Sequence, residues 1–494
     1  MYDSAGSNAH DALQRIAFLA MRARGLDPEF SAHALQEAEA LDEGRLLAQR
    51  THAQPARDLR HLLWCSIDND DSRDLDQLSV AEEISPQKIK VFVAVADVAI
   101  AVKKGSALDQ HARTNTTSVY TAARTFPMLP DRLSTDLTSL NPNEDRRAVV
   151  IEMVVPETGV VESGTVYEAL VRNTAQLSYN RVAAWLEGGE PVPAAVAKVP
   201  GLELNLRLQL RAAAALNAHR HARGALAFET AQARPVFANG KLEALDADRK
   251  NSAKELIEDL MIAANGAVAS FLGAHRSPSI RRVVRTPKQW ERIVELAAER
   301  GAELPASPDV KALELFLESA RRADPEKFPD LSLSIIKLLG AGEYVVNFPG
   351  QSAPGHFGLA VRNYSHSTAP NRRFPDLLTQ RLLKAVLHGE AIPYAEDELK
   401  ALAQRCTAQE DAAKKVERQV LKAAAAMLLE QRIGERFDAI VTGASAKGTW
   451  VRIQRPLVEG KLVKGFEGRR VGDRLSVQLV RTEIERGLID FVAS

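Results

Sequence analysis

Cysteine is nearly missing: Cys65 and Cys406 are the only two in 494 residues. Far apart and without metal-ligand spacing, they exclude a disulfide scaffold and a zinc site and argue against a secreted protein. Net charge is missing as well. Lys plus Arg number 64 and Asp plus Glu number 64, so any nucleic-acid surface must come from local segregation of charge. The longest apolar run, VFVAVADVAIAV, is too short for a bilayer span and carries Asp97. The opening residues, MYDSAGSNAHDAL, have neither the basic start nor the apolar core of a leader. These absences predict a soluble, cytoplasmic protein with no membrane and no disulfide partner.

What is present is apolar mass and one concentrated group of acids. A chain that is 45% hydrophobic at this length can bury a large core and should divide into two to four domains. Residues 62–77, LLWCSIDNDDSRDLDQ, run from a buried-strand pattern into a loop holding Asp68, Asp70, Asp71, Asp74 and Asp76. Like charges at this density repel unless a cation holds them. In extended backbone Asp74 and Asp76 leave on one face, with Asp68 at the end of the incoming strand. That geometry suits a hard, oxygen-loving ion such as Mg²⁺. An acidic solvated turn is the plain alternative. An EF-hand loop counted from Asp68 fails, because Arg73 and Ser79 stand where it needs Gly and Glu. The pair Asp68 and Asp70 is also similar to the nucleophile loop of a haloacid-dehalogenase phosphatase, but the strand and helix alternation of an open parallel sheet does not follow.

Residues 9–49 show helical spacing broken by GLDPEFS, which predicts two or three small helices, either a helix-turn-helix module or a plain bundle. Residues 88–102, KIKVFVAVADVAIAV, predict a strand that pairs with the strand entering the Asp loop and brings Asp97 near the acids; the alternative for Asp97 is a strand-end residue. Residues 113–147 lack any period yet are dense in Thr, Ser, Pro and Arg, the mark of an ordered functional loop. Helical spacing returns over 201–222, 252–275, 287–303, 309–323 and 395–433. From Phe437 onward, short Val- and Ile-rich runs separated by Gly turns predict a five-stranded OB barrel. Residues 431–486 hold 12 Lys or Arg against 7 Asp or Glu, so this end is locally basic. The fold class is therefore α+β and multidomain. It combines a small N-terminal helical domain (1–58), a mainly antiparallel sheet with packed helices (59–433) and a C-terminal OB-fold barrel (434–494).

Five stretches in order resemble the catalytic domain of RNase II and RNase R, the RNB family of exoribonucleases. They are SIDNDDSRDLDQ, VAVADV, TSVYTAARTFPMLPDRLSTDLTSLNPNEDRR, AKELIEDLMIAAN and HFGLAVRNYSHSTAPNRRFPDLLTQR. The resemblance implies a hydrolase that degrades single-stranded RNA from its 3′ end with divalent ions, Mg²⁺ or Mn²⁺, and releases nucleoside 5′-monophosphates; a monomer is expected. It places the family's metal-holding aspartates at Asp68, Asp74 and Asp76, while the fourth falls on Gln77. That is the main departure: an amide oxygen can coordinate an ion or hold a bound water but neutralises none of the charge.

The same resemblance implies that Tyr120 and Phe228 clamp a stack of bases, and that Tyr179 and Glu258 seat the terminal nucleotide. It puts Arg372 on the phosphates beside the cleavage point, with Arg373 next to it. The bare residues allow other readings. Phe228 fits ordinary packing, and Glu258 fits a surface acid. Arg281, Arg282 and Arg285 either line the RNA path or pair with acids. His356 and His366 read as structural histidines, and Ala369 and Asn371 stand where the family usually has Ser and Ile. Trp450 or Phe466 can stack a base on the barrel. Residues 1–58 are too few and too helical for the cold-shock barrels that usually precede this catalytic domain, so RNA entry is expected to differ. The rival from another class is an RNA-binding protein whose nuclease centre has weakened at Gln77.

Overall fold

The computed structural model describes residues 4–49, 56–229, 232–238, 241–248, 250–325, 327–351, 355–445 and 447–494. Three helices lead: α1 (Ser4–Arg22), α2 (Ala32–Glu39) and α3 (Glu43–Ala48). Strands follow: β1 (Arg57–Asp58), β2 (Cys65–Asp68), β3 (Gln77–Ser85) and β4 (Lys88–Ala96). After α4 (Ala107–Asn115) comes a small hairpin of β5 (Val119–Tyr120) and β6 (Thr125–Phe126), then β7 (Asp145–Pro156), β8 (Ser163–Arg172) and β9 (Ala175–Ser178). Seven of these strands form the central sheet in the order β1-β8-β7-β4-β3-β2-β9. Its interior pairs are antiparallel, and its two outermost pairs, β1 with β8 and β2 with β9, are parallel.

Every residue of β4 from Val91 to Ala96 is buried, which explains a continuous apolar run where a half-exposed strand would alternate. Contrary to the expected pairing, β4 lies between β3 and β7 and is not paired with β2. Ala96 N donates to Asp76 O at 2.9 Å, so the chain at Asp97 does run beside the acidic return, but the Asp97 side chain turns away from it. It caps the short turn Val98–Ile100 and pairs with Lys384 at 2.6 Å, a strand-end role.

Helices α5 (Tyr179–Leu186), α6 (Ala194–Ala197), α7 (Leu202–Ala222) and α8 (Ser252–Ala274) follow β9, with a hairpin of β10 (Gln232–Ala238) and β11 (Lys241–Asp248) before α8. Because β2 is short, β3 loses its neighbour past Ser79, and α7 supplies the missing partners. The Asn205 amide bonds both the N–H and the C=O of Ala81, at 3.2 and 2.7 Å, and Ser79 Oγ donates to Gln209 at 2.7 Å. α8 is long and apolar enough to cross a bilayer, yet Leu256, Ile257, Leu260, Val268 and Leu272 are buried in the body of the protein.

Helices α9 (Trp290–Ala298), α10 (Val310–Ala323) and α11 (Phe328–Leu339) enclose a core of their own around Trp290, Ile293, Leu313 and Phe328. β12 (Ser279–Val283) and β13 (Glu343–Asn347), which stand on either side of α9–α11 in the sequence, form a two-stranded antiparallel sheet, and α12 (Phe374–His388) and the 34-residue α13 (Glu396–Leu429) follow. The chain closes with β14 (Arg436–Ser445), β15 (Gly448–Gln454), β16 (Leu457–Lys464), β17 (Arg474–Glu483) and β18 (Leu488–Ala493). These five form a closed barrel, as the turn spacing predicts.

The N-terminal helices share cores with the rest of the chain. Leu13, Ile16, Ala17 and Met21 of α1 pack with Val416 and Val420 of α13 and with Val119 and Phe126 of the small hairpin. Ala34 and Ala38 of α2 join the core of the central sheet. β1 pairs with β8, so the sheet already includes residues 57 and 58. Cys65 and Cys406 are both free and buried.

Candidate active site

Four segments meet at one end of β2 and β3. β2 ends at Asp68, whose partner in parallel β9 is Ser178, so Tyr179, the first residue of α5, emerges beside it. The acidic loop returns through Asp74 and Asp76 into β3. Residues after the small hairpin lace this return in place: Ser139 Oγ accepts from Leu75 N and donates to Arg73 O at 3.0 and 2.8 Å, and Leu140 N donates to Leu75 O. The aperiodic stretch 113–147 is thus ordered by holding the aspartates' own backbone.

The third segment precedes α12. Asp376, fully buried, accepts from Ala369 N and from Arg373 Nη2 at 2.9 and 2.7 Å, which sets a tight turn. That turn aims Asn371 N–H at Asp76 Oδ1, 2.9 Å, and Arg372 Nε at Asp76 Oδ2, 3.1 Å. The Asn371 side chain accepts from Thr138 Oγ1 at 2.6 Å, so Asn371 anchors the turn to the 113–147 stretch. The fourth segment, 116–120, runs beside the turn through Ser118 N to Arg372 O, 2.9 Å, and carries Tyr120, whose hydroxyl donates to Asp74 Oδ2 at 2.8 Å.

The electrostatics show too little positive charge. Burial pushes the carboxyls of both Asp68 and Asp76 up to about 7; Arg372 opposes the rise and Asp74 adds to it. Asp68 Oδ2 is buried and has no hydrogen-bond partner. An acceptor left bare in a cluster of carboxylates is where a cation fits. Among the described residues no three acidic, His or Cys side chains close a metal shell by themselves. Mg²⁺ needs no such shell, because it keeps waters and takes oxygens from bound phosphate beside one or two carboxylates. Gln77, the first residue of β3, is 7% exposed, and its amide makes no hydrogen bond among the described residues.

The other expected residues are spread more widely. Glu258 pairs with Lys250 at 2.7 Å, and both are about 40% exposed. Arg373 is held by Asp376 behind the site. Arg282 pairs with Glu410 at 2.7 Å and stacks over Tyr344, while Arg285 pairs with Glu343. Arg281 is buried, and among the described residues its side chain bonds only Ala269 O. Phe228 is half-buried against the α9–α11 core, and no described contact joins it to the carboxylates. Trp450 lies half-buried on β15 over Gly443, and Phe466 is exposed. His356 and His366 are structural. Burial depresses both, His356 to about 4 and His366 well below its usual value; His366 Nδ1 meets Tyr344 Oη at 2.9 Å and His356 caps the turn Phe357–Leu359.

Sequence reasoning missed Ser139, Thr138 and Glu417. The first two lie within the Thr- and Ser-dense stretch, which signalled order without saying what it orders. Glu417 sits in an ordinary charged helix face, and nothing in its surroundings marks it.

Buried carboxylates short of positive charge, with a guanidinium and two tyrosines around them, form a centre suited to phosphate esters and divalent ions. The chain belongs to the RNB family: the RNB domain matches residues 56–389, and the RNase II-type exonuclease C-terminal S1 domain matches 435–494. Exoribonucleases of this family depend on divalent metal ions. Ribonuclease R of Aquifex aeolicus is 30% identical over 500 residues, covering 95% of this chain and 69% of its own. Ribonuclease R of Vibrio parahaemolyticus is 29% identical over 474 residues, 88% of this chain and 55% of its own, so this chain spans little more than half of that relative. RNase R of Mycoplasma genitalium, solved with ribose-methylated single-stranded RNA, shares the fold with a TM-score of 0.85 at 22% identity, over 98% of this chain and 78% of that one.

Proposed function

We propose that this chain is a hydrolytic 3′-to-5′ exoribonuclease that shortens single-stranded RNA to nucleoside 5′-monophosphates, in the cytoplasm and as a monomer. The observation that carries the reading is the bare, buried Asp68 Oδ2 in a carboxylate cluster beside a guanidinium that already rests on Asp76. Asp68, Asp74 and Asp76 would hold the divalent ions, Mg²⁺ first and Mn²⁺ as substitute, with Gln77 adding at most a neutral oxygen. When bound, two such ions supply an activated water and charge for the departing 3′ oxygen.

The chain's own residues do the rest. Among the described residues Arg372 bonds Asp76 through Nε alone, and its side chain is 41% exposed, so the outer edge of its fork can take a phosphate and the charge that grows there. Asn371 N–H fixes Asp76 so that this carboxylate does not follow Arg372 outward. The ring of Tyr120, 43% exposed, offers a face to a base, and Tyr179 stands beside Asp68 where the last nucleotide would sit. Base stacking and phosphate contacts read no sequence, which suits processive trimming.

A second reading is favoured by Gln77: an RNA-binding protein with a weakened nuclease centre. Purified protein incubated with 5′-labelled single-stranded RNA in Mg²⁺, Mn²⁺ or chelator, beside Asp76→Asn, separates the two. A metal-dependent ladder shrinking from the 3′ end and absent in the variant supports the exonuclease; binding without shortening in either metal supports the second reading.

A further inference from the structure

We infer that Tyr120 is a positioning residue for Asp74, so that the residue offered to the RNA bases also sets the geometry of the ion-holding carboxylates. The inference rests on the reading of Asp68, Asp74 and Asp76 as a divalent-cation site.

The geometry behind it is local. Tyr120 belongs to a two-residue strand in which side chains alternate: Val119 points inward to the core under α1 and α13, and Tyr120 points out toward the acidic loop. Its backbone N–H is held by Glu417 Oε1 of α13 at 3.0 Å, and the preceding Ser118 is tied at its N–H to Arg372 O and at its hydroxyl to Met128 N. The ring therefore has a fixed root. From that root the hydroxyl reaches Asp74 Oδ2 at 2.8 Å. A phenol donating to an ionised carboxylate is a charge-assisted bond, stronger than a neutral one.

Asp74 needs such a hold. The loop before it, Asn69 to Asp71, is exposed, and the Ser139 lacing grips the backbone at Arg73 and Leu75 without touching the Asp74 side chain. Asp76 has two anchors, Asn371 N–H and Arg372 Nε, whereas the only side-chain hydrogen bond to Asp74 among the described residues is the Tyr120 hydroxyl. With Oδ2 fixed, Oδ1 is left for a cation. Without the hydroxyl the carboxylate must be ordered by the ion itself, and freezing one side chain weakens binding several-fold. Gln77 makes this matter more, because fewer charges hold the ion.

The test uses the full chain and separates the ring from its hydroxyl. Mn²⁺ binding is followed by electron paramagnetic resonance without RNA, for wild type, Tyr120→Phe and Tyr120→Ala, with melting curves to confirm folding. Tyr120→Phe should weaken Mn²⁺ binding three- to tenfold. It should raise the Mn²⁺ needed for half-maximal RNA shortening by the same factor, and leave the length of the shortest product unchanged. Tyr120→Ala should weaken Mn²⁺ equally and also lengthen that product. Glu417→Gln, which loosens the root and keeps the hydroxyl, should fall between wild type and Tyr120→Phe. Wild-type Mn²⁺ affinity in Tyr120→Phe overturns the inference and leaves the metal reading standing; no Mn²⁺ binding by wild type overturns both. RNA that stays full length while Mn²⁺ binds would remove the proposed activity and not this inference.

Discussion

Replacing Asp68 with asparagine removes a charge that the folded chain carries at a cost. Burial raises this carboxyl from 3.8 to about 7, so between those values the native state binds more protons than the unfolded state. Stability contributed by this group is therefore lost as pH rises from about 4 to about 7, the reverse of a salt-bridged carboxylate. A shift of roughly three units at ~1.4 kcal/mol each sets a ceiling of ~4 kcal/mol at pH 8. Asp76 rises for the same reason beside the same Arg372, so the two costs are shared and do not add. The metal-free Asp68→Asn chain should be about 1–3 kcal/mol more stable than wild type at pH 8 and equal to it at pH 4. Mg²⁺ should raise the melting temperature of wild type at pH 8 and leave the variant nearly unmoved. Scanning calorimetry of both proteins at the two pH values, with chelator and with Mg²⁺, measures all four terms. If wild type and variant melt together without metal at pH 8, the buried charge is not costly and the bare Oδ2 is not a cation's place.

Restoring a carboxylate at Gln77→Asp should lower the metal concentration needed for RNA shortening by about tenfold, since an added acid within ligand reach is worth a unit or more of binding; an unmoved metal titration would clear Gln77 as a weakness. Arg372→Lys keeps the charge and loses the fork, so single-turnover rates should fall about 100-fold with a smaller loss of RNA affinity. An equal loss in both would make Arg372 a grip on bound RNA only. At the barrel, Arg452 is ion-paired with Asp330 of α11, both buried. Asp330→Ala leaves that guanidinium unpaired, a change of about 3–5 kcal/mol, and limited trypsin should then release the barrel much faster. Unchanged digestion would show that Lys337 with Glu459 and the α13 contacts suffice.

The acidic loop, the barrel and the long helices were legible because each is a local pattern: five aspartates in nine positions, turns at barrel spacing, apolar residues at helical spacing. What needed the third dimension was partnership. The run 88–102 reads as a strand, but nothing in it says that β3, whose own pattern is mixed, is its neighbour. α12 was hidden inside a motif read for Arg372 and Arg373, although Phe374–His388 has its own buried stripe. Asp68, Asp74, Asp76, Tyr120, Tyr179 and Arg372 lie together at one end of β2 and β3, although they are scattered from position 68 to position 372 of the sequence. Phe228 ends an apolar run, and the structure leaves it against the α9–α11 core, because a ring preceded by Leu226 and Ala227 packs as readily as it stacks.

The inner wall of the barrel is finished by Ala425, Ala426 and Leu429, which belong to α13. Earlier on the same helix, Val416 and Val420 close the core that roots Tyr120. This makes the barrel a poor cassette for recombination. A crossover in the loop near residue 434 would give an incoming barrel a helix end whose small side chains fit the old partner, and would leave the core of the old barrel partly uncovered. An exchange that keeps the barrel core intact must carry the last turns of α13 along with the barrel.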